Sequence, residues 1–213
     1  DDDAEPFPNW IERLIDEHQK HPEAGVIGGN VVDASGKGLI FKIADATTFT
    51  HFNEENYCET RTVPGVNSSY KRDTIEKVGG YDTEMFRGED VDYNWRCIKA
   101  GYKVLSFPDI KVYHHHRATW RGLYNQQYMY GRAYLLVRRK WKDMYCCYPH
   151  GIYNLRDFAK FCYFCLVPFV DQAHKLKHVK GFFNKLIAYP IMVTIGYNWH
   201  RGVLVQYFKE LKK

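Results

Sequence analysis

Three consecutive carboxylates open the chain, in the stretch DDDAEPFPNW. In an Asp-x-Asp arrangement, Asp1 and Asp3 can present their oxygens to one hard divalent cation such as Mg²⁺ or Mn²⁺. Taken alone, the stretch favours a structural alternative, because Asp is a good N-cap and a helical pattern begins a few residues later. Asp2 lies between the two, and the register of the pair is uncertain by one residue. The sequence therefore predicts that residues 1–3 either bind a metal ion or cap the helix that follows.

A second acidic group, Glu89-Asp90-Val91-Asp92, stands at the start of a predicted helix. A carboxylate in this position faces the positive end of the helix dipole, which helps to keep it ionised. A general base needs such an ionised carboxylate within hydrogen-bonding reach of the proton that it removes. Glu89 and Asp90 are also suitable capping residues, so the group indicates either a catalytic base or a helix cap.

Three histidines, His114, His115 and His116, stand at the end of a predicted strand. Neighbouring side chains on a strand point to opposite faces, so at most His114 and His116 share one face. The run is therefore not a cluster of three metal-binding histidines. One inward-facing His could ligate a metal, but a lone His is more often a satisfied core or surface residue.

Strand and helix signals alternate through the first two thirds of the chain, which predicts an α/β layer architecture. Apolar residues recur with helical spacing in the helical stretches, and Gly79-Gly80 and Gly101 end two of them. The first predicted elements are a helix from Trp10, two strands joined by an Asp-Ala-Ser-Gly turn in residues 24–41, and a loop at 44–62. A short extended piece then leads to a helix at 72–78, and another helix follows at 91–100. The strands YKVLSF and KVYHH, separated by Pro-Asp, and an amphipathic helix at 119–140 complete the series.

Charge divides the 213 residues unevenly, although their length suits one domain or one domain with a tail. Residues 1–116 carry a net charge of −8 and residues 117–213 a net charge of +13. The acidic part suits a cation, and the basic part suits an anionic partner such as a phosphate or a lipid surface. The alternative for the basic part is a solvated face. The six cysteines show no paired CxxC frame, so we expect reduced core thiols, including the pair in CYFC.

Two apolar runs of 11 to 13 residues follow Tyr148, and Pro168 and Pro190 interrupt them. Lysines and histidines lie between the runs. Such runs are too short to span a bilayer simply, but they can lie in its interface. The alternative is a helical pair packed on the main domain.

The collinear motifs DDDAEP, PGVNSSYKR, GGYD, GEDVDYNWRCIKAGYKVLSFPDIKVYHHH and YNQQYMYGRA resemble those of family 2 glycosyltransferases of the GT-A fold. The match covers roughly residues 1–140, and the last stretch, IMVTIGYNWHRGVL, resembles the tails of some members more weakly. The resemblance implies a GT-A-like α/β fold with a mixed sheet that lacks its first strands, followed by a mainly helical tail. It implies an inverting, metal-dependent transfer of one sugar from a nucleotide-diphosphate sugar to an acceptor hydroxyl.

The resemblance also implies a role for individual residues. The catalytic base falls on Asp90, with Glu89 in support. Metal ligation falls on Asp1, Asp3 and His114, with Mn²⁺ or Mg²⁺ as the ion and Asp2 adjacent. Contacts with the acceptor fall on Asn67, Ser68, Asp92 and Trp95. Arg117, Arg121 and Arg132 can assist the donor phosphates through their guanidinium groups, although a solvated helix face is the better explanation for at least two of them.

Two departures from the family pattern modify this expectation. The Gln-x-x-Arg-Trp motif of processive members is absent, because the sequence from Gln127 reads QYMYG, and this favours addition of a single sugar. In the family, roughly a hundred residues precede the Asp-x-Asp pair and carry nucleotide contacts. We therefore expect a fragment that is inactive in isolation.

The resulting hypothesis places the catalytic part in residues 1–145 and a basic, membrane-associated helical tail in residues 146–213. The expected partners are a nucleotide-diphosphate sugar, a glycan or lipid-linked acceptor and an anionic membrane surface, with no nucleic acid. The expected location is the cytoplasm, at the cytoplasmic face of the membrane. Two alternatives remain: a non-catalytic membrane-surface binding module, and a metal-dependent hydrolase of phosphate esters.

Overall fold

The computed structural model describes residues 2–49, 53–144 and 154–210. The chain forms two compact units: the first contains residues 1–41 and 48–116, and the second contains residues 42–47 and 117–213. The predicted division at residue 145 separates a catalytic part from a tail by function, and it stays a prediction.

A five-stranded sheet is the centre of the first unit. Its strands are β1 (Ala4–Pro6), β2 (Ala24–Asp33), β3 (Cys58–Thr60), β4 (Ser68–Tyr70) and β5 (Lys103–His114). The long strands β2 and β5 are parallel, whereas β1 and β3 pair antiparallel with β5, and β4 pairs antiparallel with β2. The sheet is therefore mixed, as predicted.

A bulge interrupts the pairing of β5, which is one strand rather than the two that the Pro-Asp pair predicted. Gly29 pairs with Phe107 and Asn30 pairs with Lys111, so three residues of β5 have no counterpart on β2. A Cβ atom on Gly29 would lie 2.1 Å from the carbonyl oxygen of Ile110, so only glycine fits there. The strand continues past the proline because the bulge removes that residue from the hydrogen-bonded ladder.

Helices cover both faces of this sheet. On one face, α1 (Trp10–Lys20) packs Leu14 against a core that contains Ile27 and Leu105. On the other face, α4 (Glu89–Lys99) packs its Tyr93 and Cys97 side chains against a core that contains Val26 and Val104. Adjacent strand residues thus serve opposite cores, as the two-residue period of a strand requires.

Two short elements differ from the sequence prediction. The residues predicted as a second strand after β2 begin a helix, α2 (Leu39–Thr48), in which Ile43, Ala44 and Thr47 are buried. The contiguous apolar run Leu-Ile-Phe is ambiguous between strand and helix, and its helical period appears only in the residues that follow. Part of the predicted loop forms β3, which pairs with β5 through tertiary contact rather than through a local pattern.

The helix predicted at 72–78 is present as α3 (Arg72–Val78) and ends at Gly79, whose φ is +84°.

Three long helices dominate the second unit: α5 (Trp120–Lys140), α6 (Leu155–Lys175) and α7 (Phe182–Glu210). Pro168 and Pro190 lie inside α6 and α7 and do not end them, contrary to the predicted interruption. Among the described residues, no helix is both long enough and apolar enough to cross a membrane.

A pair of glycines brings α5 and α7 into close backbone contact. A Cβ atom on Gly131 would lie 1.9 Å from the carbonyl oxygen of Trp199, and one on Gly202 would lie 2.1 Å from that of Tyr128. The two helices therefore approach more closely than larger residues would allow. Beside this contact, Leu135, Phe164 and Val203 form the core of the unit.

The described cysteines only partly match the predicted core thiols. Cys97 is buried in the first unit, whereas Cys162 and Cys165 are exposed free thiols on α6. The CYFC pair is thus a surface feature, because the helical period turns these two side chains away from the buried side that carries Phe164 and Pro168. Cys146 and Cys147 lie outside the described residues.

Candidate active site

The predicted metal ligands Asp3 and His114 meet at the edge where β1 and β5 pair. The Nε2 atom of His114 lies 3.6 Å from Oδ1 of Asp3. Ala4 pairs with His114 in the sheet, and the backbone N–H of His115 donates to the carbonyl oxygen of Asp3, 2.9 Å away. These backbone contacts hold the carboxylate beside the imidazole. Asp2 is exposed next to them, and Asp1 lies outside the described residues.

A second His–carboxylate pair lies beside the first, and the sequence analysis missed it. Nε2 of His116 is 3.9 Å from Oδ1 of Asp33, and the His114 and His116 rings are 5.0 Å apart between centroids. Phe49 packs against both rings, and both imidazoles are buried. Asp33 ends β2, and His114 ends β5. Because parallel strands bring their carboxyl ends to the same edge of a sheet, the position of these residues at the two strand ends could have revealed the second pair.

The chemistry of the Asp3–His114 pair fits a divalent cation. Carboxylate oxygen and neutral imidazole nitrogen are both ligands that Mn²⁺ accepts, and Mg²⁺ takes the oxygen. Within the described ranges, no group of three or more His, Cys, Asp or Glu side chains is arranged to hold a metal ion. Metal ligation by Asp3 and His114 therefore stays a prediction.

Asp90, the predicted base, stands in the first turn of α4 and is half-buried. Its Oδ2 accepts from the backbone N–H of Gly65 at 3.0 Å, and its Oδ1 accepts from that of Val91 at 2.8 Å. Burial raises the pKa of this carboxyl; the two backbone donors act in the opposite direction, and the nearby Glu89 charge raises the pKa further. The group is therefore oriented from two sides and more basic than an ordinary Asp.

Three tyrosines surround this helix start and were not predicted. Tyr70 and Tyr93 meet edge to face with centroids 4.9 Å apart, and Tyr81 lies 5.0 Å from Tyr93. Burial raises the pKa of Tyr70, and the charge of Asp90 adds to that effect. The Tyr81 ring is 48% exposed, so the cluster presents one aromatic ring to solvent. The GGYD stretch could have pointed to Tyr81, because it places this residue directly after the end of a helix.

Asp92, a predicted acceptor contact, is completely buried. Its Oδ2 accepts from Nε of Arg96 at 3.0 Å, and Arg96 also donates to the carbonyl oxygens of Val78 and Gly80. This arrangement ties the segment before Tyr81 to α4. The geometry therefore gives Asp92 a structural contact. The sequence did not reveal this contact, because the periodicity of a short helix does not tell a buried face from a face that contacts substrate.

Trp95, another predicted acceptor contact, is half-buried on a different face of α4 from Asp90. It lines a cavity of about 410 Å³, whose other lining residues are Glu59, Thr60, Arg61, Ile98, Tyr102 and Val104.

Asn67 is also fully buried, and its side chain makes three hydrogen bonds. Its amide nitrogen donates to the carbonyl oxygens of Asn30 and Ile110, at 2.9 and 3.0 Å, and its oxygen accepts from Nε1 of Trp10 at 2.8 Å. Asn67 thus joins β2, the β5 bulge and α1. Ser68, half-buried beside it, donates to the carbonyl oxygen of Gly65 at 3.0 Å.

The predicted phosphate-binding arginines belong to the second unit. Arg117 and Arg121 are exposed around the start of α5, while Nε of Arg132 donates to Oε1 of Gln206 at 3.1 Å. The first unit, by contrast, contains two groups of candidate residues: Asp3 with His114, and Asp90 with Gly65.

Comparison with known proteins finds a family that matches most of the chain. The family described as Glycosyl transferase family group 2 matches residues 1–199. The chain is 38% identical over 95 residues to the glucosyl-dolichyl phosphate glucuronosyltransferase of Haloferax volcanii, a match that covers 42% of this chain and 30% of that protein. It is 26% identical over 137 residues to the pre-mycofactocin glycosyltransferase of Mycobacterium tuberculosis, covering 62% of this chain and 29% of that protein.

A solved structure shows a similar fold: the mannosyltransferase PcManGT of Pyrobaculum calidifontis, in complex with GDP-Man and Mn²⁺. The TM-score is 0.54 at 13% identity, and the match covers 96% of this chain and 59% of that one. The GT-A-like α/β fold expected from the sequence is thereby confirmed. The chain spans about 30% of the length of the first curated relatives that it matches.

Proposed function

The chain belongs to the glycosyl transferase family group 2, and from this premise we propose that it moves one sugar from a nucleotide-diphosphate sugar to an acceptor hydroxyl with inversion. The observation that carries the proposal is the Asp90 carboxylate, which two backbone N–H groups orient at the start of α4. Inverting transfer needs one base that removes the acceptor proton as the hydroxyl attacks. A raised pKa increases the proton affinity of that base.

In this proposal Asp90 accepts the proton of the acceptor hydroxyl. Glu89, exposed beside it, supports its basicity through its negative charge. The N–H of Gly65 and that of Val91 hold the two carboxylate oxygens in fixed directions, which reduces the reorganisation that proton transfer requires. Tyr81 offers an exposed ring on which a sugar face can pack.

The donor side of the proposal rests on Asp3 and His114. Together with Asp1 they would hold one Mn²⁺ or Mg²⁺ ion, with Asp2 adjacent. When bound, such an ion supplies charge neutralisation for the leaving diphosphate. The predicted role of Arg117 and Arg121, hydrogen bonding of the donor phosphates by guanidinium groups, stays a prediction. The fit of the 3.6 Å Asp3–His114 pair to this ion supports the assignment.

On the acceptor side, we assign direct contacts to Ser68 and Trp95, and positioning roles to Asn67 and Asp92. The last two are buried and hydrogen-bonded, so they act by holding the bulge and the Tyr81 segment in place.

The proposed acceptor is a lipid-linked glycan, and the proposed location is the cytoplasmic face of a membrane. The names of two relatives support the lipid-linked acceptor: the Haloferax volcanii protein described above, and the dolichyl N-acetyl-alpha-D-glucosaminyl phosphate 3-beta-D-2,3-diacetamido-2,3-dideoxy-beta-D-glucuronosyltransferase of Methanococcus voltae. The latter is 22% identical over 160 residues, covering 70% of this chain and 49% of that protein.

The test is transfer by the complete enzyme with a panel of nucleotide-diphosphate sugars, a lipid-linked acceptor and Mn²⁺. Asp90→Asn should lower turnover about 10² to 10⁴-fold. Asp73→Asn is the matched control, because Asp73 is an exposed acid in the first turn of α3 and should leave turnover unchanged. Near-normal turnover in the Asp90 variant would remove this residue from the mechanism.

The same assay separates the alternative functions. Phosphate release from simple esters without an acceptor would indicate a hydrolase. Binding to membranes with no transfer from any donor would indicate a non-catalytic module.

A further inference from the structure

A large apolar surface covers the outer side of the two tail helices. On α6 the exposed side chains are Leu155, Phe158, Tyr163, Leu166, Phe169 and Val170, and at the start of α7 they are Phe182, Phe183, Leu186 and Ile187. Phe182 and Phe183 are each 77% exposed, with ring centroids 5.7 Å apart. We define these ten residues as the tail apolar surface. Leaving so many large side chains in water is unusual for a surface that binds nothing.

The two helices that carry this surface are fixed to each other. The hydroxyl of Tyr189 donates to the carbonyl oxygen of Phe169 at 3.3 Å, and that of Tyr197 donates to the carbonyl oxygen of Cys165 at 3.0 Å. The rings of Phe169 and Tyr197 meet edge to face, 5.7 Å apart. The opposite sides of the helices are buried, at Phe164 and Pro168 on α6 and Ala188 and Met192 on α7. The apolar residues therefore lie on two folded helices that pack against each other, not on an unfolded tail.

Positive charge accompanies this surface. Residues 155–190 contain six Lys or Arg and two Asp, with no Glu. Lys177 and Lys180 are exposed in the connection between α6 and α7, immediately before Phe182. Arg156 and Lys160 are exposed on the first turns of α6. Apolar side chains are thus bordered by cations at both ends of α6.

We propose that the tail apolar surface docks onto an anionic lipid bilayer, with Phe182 and Phe183 inserted at the headgroup boundary and Lys177 and Lys180 against lipid phosphates. Apolar insertion combined with basic residues is the combination by which interfacial helices bind bilayers. A second copy of the chain is a poorer occupant, because facing copies would bring their cationic borders together. The proposal does not depend on sugar transfer, so its test needs neither donor nor acceptor.

The experiment is flotation of the protein with vesicles of neutral phosphatidylcholine, or of phosphatidylcholine with phosphatidylserine. Binding should be stronger to the anionic vesicles and should weaken as salt rises from about 0.1 to 0.5 M. Replacing both Phe182 and Phe183 by Ser should lower the partition coefficient about tenfold or more on both vesicles. Replacing Lys177 and Lys180 by Gln should lower it about tenfold on anionic vesicles alone.

The matched control replaces Ile11 and Ile15, two comparably exposed residues of the first unit, by Ser. This variant should bind as the unchanged protein does. All replaced side chains are exposed, and circular dichroism with thermal unfolding confirms that each variant is folded. Absence of flotation, or equal loss in the control and the phenylalanine variant, would overturn the proposal. So would a phenylalanine variant that still floats normally but sediments as a smaller species, because the surface would then join copies of the chain.

Discussion

At the residue scale, opposing influences act on the carboxylate of Asp90. Burial raises its pKa, and the N–H groups of Gly65 and Val91 stabilise its ionised form. The net pKa is above the ordinary Asp value of 3.8. A base with a raised pKa takes up its proton at a higher pH than an ordinary Asp does, and in its protonated form it cannot accept a proton from the acceptor.

The first prediction concerns the pH dependence of transfer. kcat/KM should fall on the acid side with an apparent pKa above 3.8, and Glu89→Gln should move this limb to lower pH because the Glu89 charge raises the Asp90 pKa. Glu84→Gln, an exposed acid before α4, is the control and should leave the limb in place. The measurement is a pH–rate profile, and an unmoved limb in Glu89→Gln would separate Asp90 from the titrating group.

The same carboxylate has a consequence for stability. A raised pKa means that the folded state releases the proton at a higher pH than the unfolded state does. The free energy of unfolding therefore falls as the pH rises from 3.8 toward the pKa of the folded state. Asp90→Asn should therefore unfold at an equal or higher temperature than the unchanged protein at pH 7. A marked loss of stability in this variant would indicate a structural role instead.

A second prediction concerns the Asp3–His114 pair. Asp3→Ala should weaken Mn²⁺-dependent donor binding at least about tenfold, and His114→Ala should weaken it less. Calorimetry with and without Mn²⁺, and the spin resonance of bound Mn²⁺, are the measurements. Asp16→Ala, an exposed acid on α1, is the control. Undiminished Mn²⁺ binding in both variants would leave the pair with a packing role only.

At the element scale, the β5 bulge depends on one side chain from outside its strand pair. Asn67 donates to the carbonyl oxygens of Asn30 and Ile110, and Ile110 lies in the part of β5 that has no counterpart on β2. We predict that Asn67→Ala lowers the free energy of unfolding by about 2–4 kcal/mol, because it leaves buried polar groups unpaired. Denaturant unfolding is the measurement.

The neighbouring residue supplies the control for that change. Ser68→Ala removes one hydrogen bond, to the carbonyl oxygen of Gly65, and should cost about 1 kcal/mol or less. If Asn67→Ala is instead stable and raises only KM for the acceptor, Asn67 contacts the acceptor and the positioning role is wrong.

The contact between α5 and α7 leads to another prediction at this scale. Gly131→Ala places a Cβ atom against the rigid carbonyl group of Trp199, so the helices must separate. The expected loss of stability is about 1–3 kcal/mol, measured by thermal or denaturant unfolding. Gly80→Ala is the control, since no atom lies within 4 Å of the new Cβ atom. Unchanged stability in Gly131→Ala would show that the glycine contact is dispensable.

At the scale of the whole molecule, burial favours the neutral form of a histidine in each of the two units. Burial lowers the pKa of His18 in the first unit and of His200 in the second, in each case from 6.5 to about 4. Such groups take up protons on unfolding between these two values. Their contribution to stability is therefore complete above pH 6.5 and is lost as the pH falls toward 4.

We predict that acidification from pH 7 to pH 4 lowers the unfolding temperature, with each histidine contributing on the order of 1–3 kcal/mol. Replacing His18 or His200 by Gln should flatten this dependence, whereas His174→Gln, an exposed histidine on α6, should not. Unfolding followed by circular dichroism across this pH range is the measurement. An equally steep dependence in all three variants would assign it to other groups.

The sequence by itself determined the elements whose signals are local. The helices α1, α3, α4 and α5 follow from apolar periods, since helix hydrogen bonds join residues four apart, and Gly79 and Gly101 mark the ends of α3 and α4. The family motifs predicted roles for Asp3, His114 and Asp90, which stay predictions, and the uneven charge of the sequence indicated a basic C-terminal part. Only the tertiary structure decided that Asp33 and His116 stand beside His114, that Asn67 and Asp92 are buried, and that β5 runs through its proline. Each of these depends on pairing between distant strands or packing between layers, for which the chain carries no local period.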